Sequence, residues 1–272
     1  VTKPFLNVVR RLVTRYLAQT TEGNFGMLIE KRVELKSKIR MILQKSFSLY
    51  MDMYKTDLPL YDLLYEEFDD LRKNKRNPLE VYIGRDGIYT YLGRKAQDIA
   101  RRRKMGRAKR IELQNKGELI KIKPRYFVYP RYFRDNLSYQ TKRKYLEQAN
   151  VSPNNDTYFY DTGFLGSIPE EIMRVMDFPP EEIDQRIKMF YVENRSPQRR
   201  IKKLNENIPK YMVEGVLENH PQTEESAKGV FIDDKGTLHH MASPSDPEDQ
   251  FYSLILREAV VRHYWLKEKL HN

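Results

Sequence analysis

The stretch that decides the fold is Tyr158–Pro169, which reads YFYDTGFLGSIP. Its aromatic residues at 158–160 predict a buried strand, because aromatic side chains favour strands. Two glycines follow at 163 and 166, although the chain has only 12 glycines in 272 residues, and they indicate a tight loop. Pro169 suits the first turn of a helix, where its missing N–H would have no partner in any case. The stretch therefore predicts a strand, a loop and a helix in succession.

The same succession occurs upstream in the sequence. Leu79–Ile83 is a β-branched and aromatic run that ends in the loop GRDG at 84–87, and a helical pattern follows. Tyr126–Tyr129 is a further strand candidate, and it ends at Pro130 and Arg131. Repeated units of this kind predict an α/β fold with a parallel sheet. In such a sheet ligands bind outside the carboxyl ends of the strands, where both glycine-bearing loops are expected.

Helical patterns surround this α/β region. Apolar residues recur at helical spacing within 4–19, 26–54 and 59–74, which predicts an N-terminal helical layer. Beyond Pro179 we expect a strand at 188–192, a helix at 208–218, a hairpin at 230–238 and a closing helix at 247–270. The predicted organisation is a helical region that packs on the core, an α/β core and a C-terminal helix, over residues 1–76, 77–240 and 241–272 respectively.

The composition bounds the class of protein. Hydrophobic residues make up 40% of the chain and aromatic residues 12%, which is enough for a packed core. No apolar run approaches the ~18 residues that a membrane span requires, and no signal-peptide pattern stands at the start. The chain has no cysteine, which excludes disulfides, thiolate nucleophiles and cysteine-ligated zinc. These features suit a reducing compartment, and we expect a cytoplasmic protein.

The spacing of the histidines and the net charge limit which metal sites and which partner molecules are expected. His239 and His240 are adjacent in the expected hairpin, where successive side chains point to opposite faces, so no metal site is expected from them. The formal net charge of +11 favours anionic partners such as nucleotides, sugar phosphates, RNA or acidic membrane surfaces. Residues 101–110 carry seven positive charges in ten positions. This basic run is either a solvated helix end or a surface that binds nucleic acid.

The loop within YFYDTGFLGSIP carries groups that bind phosphate. Where a loop enters a helix, unpaired backbone N–H groups and the positive end of the helix dipole attract an anion. We expect the substrate-binding residues of this loop to be Thr162, Gly163, Gly166 and Ser167. Asp161 at the strand end would contact sugar hydroxyls or a Mg²⁺ ion that bridges phosphates. The alternative is a tight turn in which Ser167 caps the helix.

The loop at 84–87 adds a second candidate. Arg85 offers a planar fork suited to phosphate, and Asp86 would orient it or cap the next helix. Gly84 and Gly87 flank this pair and are predicted, with Asp86, to bind substrate. The alternative is an Arg–Asp pair in a surface turn. Arg131, after the middle strand candidate, is a further substrate-binding candidate, or else part of a solvated basic loop.

The two loops resemble those of the phosphoribosyltransferase-like fold. VYIGRDGIYTYLG at 81–93 is similar to the strand and short Arg-Gly-Gly-type loop that holds pyrophosphate in that family. DTGFLGSIP at 161–169 resembles the Thr-Gly loop that cradles the 5-phosphate of phosphoribosyl pyrophosphate. The pattern looks still more like the divergent phosphoribosyltransferase-like domains found alongside haloacid-dehalogenase-type hydrolases in bacteria. The resemblance covers residues 78–235.

This resemblance implies a phosphoribosyltransferase-like enzyme that acts, with Mg²⁺, on phosphoribosyl pyrophosphate or a related sugar phosphate or nucleotide. Asp161 would then position the sugar or metal, and Arg85 would stabilise charge on the leaving pyrophosphate. The family has a pair of acids a few residues before Thr-Gly, whereas here Asp161 directly precedes Thr162. That departure keeps a binding module without transfer as an alternative, beside nucleic-acid binding through residues 101–110. The sequence is compatible with an oligomer and leaves the acceptor open.

Overall fold

The computed structural model describes residue 11 and residues 32–73, 78–84, 87–116, 123–164, 167–192, 220–224 and 227–270. None of the helices in these ranges is long and apolar enough to cross a membrane. The predicted helix at 208–218, and the one within 4–19 apart from residue 11, lie outside the described residues.

The described chain begins with a long helical run whose winding changes midway. Helix α1 (Arg32–Asp52) passes through one π-helical turn (Met53–Asp57) into α2 (Leu58–Lys73). Leu64 and Phe68 of α2, four positions apart on one side of the helix, are fully buried. The predicted helices within 26–54 and 59–74 are thus confirmed over their described residues, and they form one continuous run.

Four strands form a parallel sheet at the centre of the molecule. They are β1 (Leu79–Ile83), β2 (Lys123–Phe127), β3 (Thr157–Phe164) and β4 (Ile187–Val192). Their order in the sheet is β2-β1-β3-β4, and each neighbouring pair is parallel. The predicted α/β fold with a parallel sheet is therefore confirmed.

Helices connect the strands, as a parallel sheet requires. Between β1 and β2 lie α3 (Gly87–Lys104) and α4 (Arg107–Asn115), and between β2 and β3 lie α5 (Arg131–Asn136) and α6 (Tyr139–Gln148). The link from β3 to β4 contains α7 (Ser167–Val175), a 3₁₀ turn (Pro180–Glu182) and α8 (Ile183–Arg186). A hairpin of β5 (Gly229–Ile232) and β6 (Leu238–Met241) follows, and α9 (Pro247–Leu270) closes the described chain. The predicted hairpin and closing helix are confirmed.

The sheet separates two apolar cores. Val81 and Phe159 face one side, where they pack in the cluster that includes Ile172 of α7. Tyr82 and Tyr160 face the other side and share a cluster with residues of α2, α3 and α9. Because successive side chains point to opposite faces, the central strands are buried on both sides and their sequences read as continuous apolar and aromatic runs.

Two predicted strand boundaries are wrong. The strand expected at Tyr126–Tyr129 is β2 at Lys123–Phe127, because its backbone pairs in register with Leu79–Ile83 and β1 offers no partner beyond that. The strand expected at 158–160 continues to Phe164, because β4 pairs with it as far as Val192. Pairing with a distant strand, rather than local residue preference, determines both ends.

A cluster of buried charges lies on the α2, α3 and α9 side of the sheet. Glu80 of β1 has no exposed surface, and its carboxylate accepts hydrogen bonds from Arg94 Nη2 at 3.0 Å and from Tyr82 Oη at 2.8 Å. Arg72 also donates to Glu80. Asp69 accepts from Arg94 at 2.6 Å and from Arg72 at 3.1 Å. The two guanidinium groups therefore each bridge two carboxylates, which binds α2 and α3 to the first strand.

Candidate functional site

The carboxyl ends of β1 and β3 lie side by side in the sheet. Tyr82 of β1 is in register with Tyr160 of β3, so Gly84 and Asp161 each stand just past this pair. From β1 the chain turns into α3 on one face of the sheet, and from β3 it turns into α7 on the other face. Connections that leave neighbouring strands in opposite directions open a crevice, and this is the position where open parallel sheets bind ligands. The described residues that flank both glycine-bearing loops lie at this crevice.

The backbone at Gly84 has the conformation that favours glycine. Its φ is +78°, in the left-handed region, and among the described residues no atom lies within 4 Å of the point where a Cβ would stand. Gly87 begins α3, and a Cβ there would lie 3.4 Å from the carbonyl carbon of Tyr82. The two glycines thus allow a sharp turn out of β1 into a helix that starts close to the strand. Arg85 and Asp86 lie outside the described residues, so their predicted roles stay predictions.

The second loop is shorter than the sequence indicates. Asp161, Thr162 and Gly163 belong to β3 rather than to the loop, and Gly163 pairs with Tyr191 of β4. Only positions 165 and 166 separate the strand from α7, and Gly166 lies outside the described residues. Ser167 is the first residue of α7 rather than its N-cap, and Pro169 is the third. The alternative interpretation, in which Ser167 is the N-cap of this helix, differs from the structure by one position.

The start of α7 offers backbone donors to the crevice. The first N–H groups of an α-helix have no partner within the helix, and α7 begins where β3 ends. Ser167 and Ile168 are partly exposed, whereas Pro169 is buried and has no N–H. Two backbone donors, with the Ser167 hydroxyl, therefore stand at the positive end of the helix dipole.

Asp161 supplies a carboxylate to the same edge of the sheet. Strand alternation places it on the face of Phe159, which is the α7 side, and its side chain is partly exposed. The described residues contain no group of three histidine, cysteine or acidic side chains that would enclose a metal. Mg²⁺ commonly binds through one or two carboxylates together with phosphate oxygens and water. A single aspartate therefore fits a Mg²⁺ ion that arrives with a phosphorylated ligand.

Arg131 lies at the carboxyl edge but one strand away from the crevice. It begins α5 after β2, and β2 neighbours β1 on the side opposite to β3. Its side chain is exposed. The structure therefore places Arg131 beside the first loop rather than between the two loops.

A buried polar cluster behind the first turn of α3 has no signal in the sequence. His220 Nε2 and Asp57 Oδ2 are 2.6 Å apart, and the His220 ring packs on the Tyr89 ring with centroids 5.1 Å apart. Tyr89 donates to the Pro221 carbonyl and lies 3.0 Å from Ser253 Oγ. Burial raises the pKa of Asp57, and His220 only partly offsets this effect. Asp57 and His220 are 163 positions apart, so only the fold reveals that they join the π-helical turn to the segment at 220–224, which Tyr89 of α3 also contacts.

The basic run at 101–110 is partly neutralised. Arg101 pairs with Asp69 and Glu268, both at 2.9 Å, and Arg102 pairs with Asp98. Arg103 lies over the ring of Trp265, with its guanidinium carbon 4.8 Å from the ring centroid. Much of this charge is thus used in contacts within the protein.

Three of the described histidines each contact one carboxylate. His220, His239 and His240 contact Asp57, Asp233 and Glu224 respectively, each at 2.6–3.0 Å. These contacts join each ring to a different carboxylate.

No family model matches the sequence, and no curated protein is significantly similar to it.

Proposed function

We propose that the crevice between β1 and β3 binds the phosphate groups of a sugar phosphate, and that the protein acts as a phosphoribosyltransferase-like enzyme on phosphoribosyl pyrophosphate or a related compound. The observation that supports this proposal best is the meeting of two glycine-bearing loops at neighbouring carboxyl ends, where the connections diverge to opposite faces. The net charge of +11 favours an anionic ligand of this kind.

Each element of the crevice has a role in the proposed reaction. The backbone N–H groups at the start of α7 and the Ser167 hydroxyl would hold the 5-phosphate, and Gly84 would let the first loop approach pyrophosphate closely. Asp161 would bind the ribose hydroxyls or the ligand's Mg²⁺, which supplies charge neutralisation at the pyrophosphate. Arg85 would stabilise the leaving group. In transfer, the bond from ribose C1 to pyrophosphate breaks, pyrophosphate leaves with the electron pair, and a nucleophilic acceptor forms the new bond.

The first test measures thermal unfolding with phosphoribosyl pyrophosphate, ribose 5-phosphate and pyrophosphate, each with and without Mg²⁺. A ligand at 100 times its Kd adds about 2.7 kcal/mol of apparent stability, which raises the unfolding temperature measurably. We expect Asp161→Asn and Arg85→Gln to reduce this shift. Asp234→Asn, in the exposed turn between β5 and β6, is the matched control and should keep it. Failure of every phosphate compound to stabilise the wild-type chain would refute the proposal.

A binding module that lacks transfer is the second candidate. The family that the loops resemble has a pair of acids before its Thr-Gly loop. The position directly before Asp161 is instead Tyr160, which is fully buried, and this observation favours the module. Release of pyrophosphate from phosphoribosyl pyrophosphate in the presence of candidate acceptors separates the two functions. Binding without release supports the module, whereas release that Arg85→Gln abolishes supports the enzyme.

A further inference from the structure

A second pocket, of about 150 Å³, lies beside the carboxyl end of β2. Its apolar wall includes Ile88 of α3 and Tyr126 of β2, and its polar side includes Thr223, Glu224, His240 and Arg257. Pockets for drug-sized ligands measure roughly 300–1,000 Å³. This pocket therefore suits a molecule with about one ring.

Arg257 of α9 is the unusual residue of this pocket. Its Nη2 donates to Thr223 Oγ1 at 2.9 Å, but its Nε is buried and has no hydrogen-bond acceptor among the residues that the structure describes. Within the described part of the chain no ion pair joins Arg257 to a carboxylate, whereas Arg72 and Arg94 each contact two. A buried donor of a cationic group without an acceptor is costly. Because Nε has almost no accessible surface, a ligand in this pocket would meet the guanidinium of Arg257 at its terminal nitrogens.

The two other ionisable groups named in the pocket contact each other. His240 Nε2 lies 3.0 Å from Glu224 Oε2, so this histidine and this glutamate are partners for one another. Among the residues with described positions, the guanidinium of Arg257 then has no carboxylate partner. Tyr126 is partly buried and stacks on Tyr91 with centroids 5.7 Å apart, so its ring is held in place at the apolar wall.

We propose that this pocket binds a small aromatic carboxylate, whose carboxylate accepts from Arg257 and whose ring lies against Tyr126 and Ile88. An arginine fork suits a planar carboxylate, and an aromatic wall suits a planar ring. None of the lining residues belongs to the glycine-bearing loops, although Ile88 directly follows Gly87, and the inference does not depend on the proposed transferase function.

The experiment observes the Nε–H signal of Arg257 by ¹H–¹⁵N NMR of the whole chain, with benzoate as the probe. The signal is assigned by its loss in Arg257→Gln. We expect benzoate to shift this signal saturably and benzamide, which has the same shape without the charge, to shift it much less. Benzoate should bind Arg257→Gln at least ~10-fold more weakly, because a hydrogen bond to a charged group is lost. Arg262→Gln, on the same helix and paired with Glu258, should bind benzoate like the wild type.

Three results would overturn the inference. They are a benzoate titration that leaves the Arg257 signal unchanged, equal responses to benzoate and benzamide, and undiminished benzoate binding by Arg257→Gln. If Arg257→Gln does not fold, Arg257→Lys provides the assignment, and the wild-type titration with the benzamide comparison decides alone. Pyrophosphate binding is measured separately, so failure here leaves the phosphate crevice standing, and failure of that crevice leaves this pocket standing.

Discussion

At the scale of single residues, Glu80 shows how a charge is kept inside this protein. Burial alone would raise the pKa of Glu80, but Arg94 and Arg72 more than offset burial, so the pKa lies below its ordinary value of 4.5. A carboxylate whose pKa is lower in the folded chain stabilises the fold above the unfolded pKa. That contribution is lost as the pH falls through the folded value.

We expect Glu80→Gln to lower the free energy of unfolding at pH 7 by about 3–5 kcal/mol, because Arg94 and Arg72 lose the carboxylate they share. Below pH ~4.5 the difference between wild type and variant should shrink, since Glu80 of the unfolded wild type then binds a proton, and it should be smallest once the pH falls below the lower pKa of the folded chain. Urea denaturation at pH 7 and at several acidic values measures both effects. Asp70→Asn, which removes an exposed pair with Lys73, is the control and should cost no more than ~1 kcal/mol. A cost for Glu80→Gln as small as this would contradict the assigned role of the cluster.

At the scale of elements, the contact between α3 and α9 depends on one glycine. A Cβ at Gly93 would lie 2.6 Å from Tyr65 Oη and 2.7 Å from the ring of Tyr264, and both tyrosines are buried. Tyr65 also donates to the Thr90 carbonyl, so its hydroxyl is held in place. The glycine therefore lets α9 pass close to α3.

Gly93→Ala separates this packing effect from helix propensity by the sign of its result. In an exposed helix the change would stabilise by up to ~1 kcal/mol. Here we expect it to destabilise by about 1–3 kcal/mol, because two buried rings must move. Chemical denaturation measures the difference, and Lys95→Ala on the exposed side of α3 should lie within ~0.5 kcal/mol of wild type. A more stable Gly93→Ala chain would show that the rings move without cost.

Much at this scale follows from local sequence, and the remainder follows from pairing. Helix α9 ends where its apolar pattern predicts, because apolar residues recur along it at helical spacing. The end of β3 was not predictable from YFYDTGF, because Gly163 and Phe164 stay in the strand only through β4. Asp161 was predicted as a site residue from its sequence neighbours alone. The fold places it near the carboxyl end of β3, which lies between β1 and β4. Arg257 and Thr223 gave no signal, since they meet only after α9 has packed.

At the scale of the whole molecule, the strand order creates the crevice. Local patterns predict strands and loops, but they do not predict the order of the strands in the sheet. That order depends on which face of the sheet each connecting helix covers. Tyr82, Tyr160 and Phe68 belong to an apolar cluster that helices on that face of the sheet shield from water. Helix α9 supplies part of this shield through Leu256, Val260 and Tyr264. The sheet and its crevice are therefore expected to depend on a helix that contributes nothing to either glycine-bearing loop.

This dependence predicts that a chain ending at Asp246, without α9, will not fold cooperatively. Full burial of a large apolar side chain contributes about 1.5–3 kcal/mol. Helix α9 buries Phe251, Tyr252, Ile255, Leu256, Val260 and Tyr264. Their loss is comparable with the whole ~5–15 kcal/mol that stabilises a typical domain.

The control chain ends at Lys269. It lacks only Leu270, which is 79% exposed, and the two residues after it. Thermal unfolding followed by near-ultraviolet circular dichroism should show a sharp transition for the control and none for the chain without α9. A sharp transition in both chains would show that the fold does not depend on α9. The burial of Tyr264 and Val260 would then contribute far less to stability than the buried area indicates.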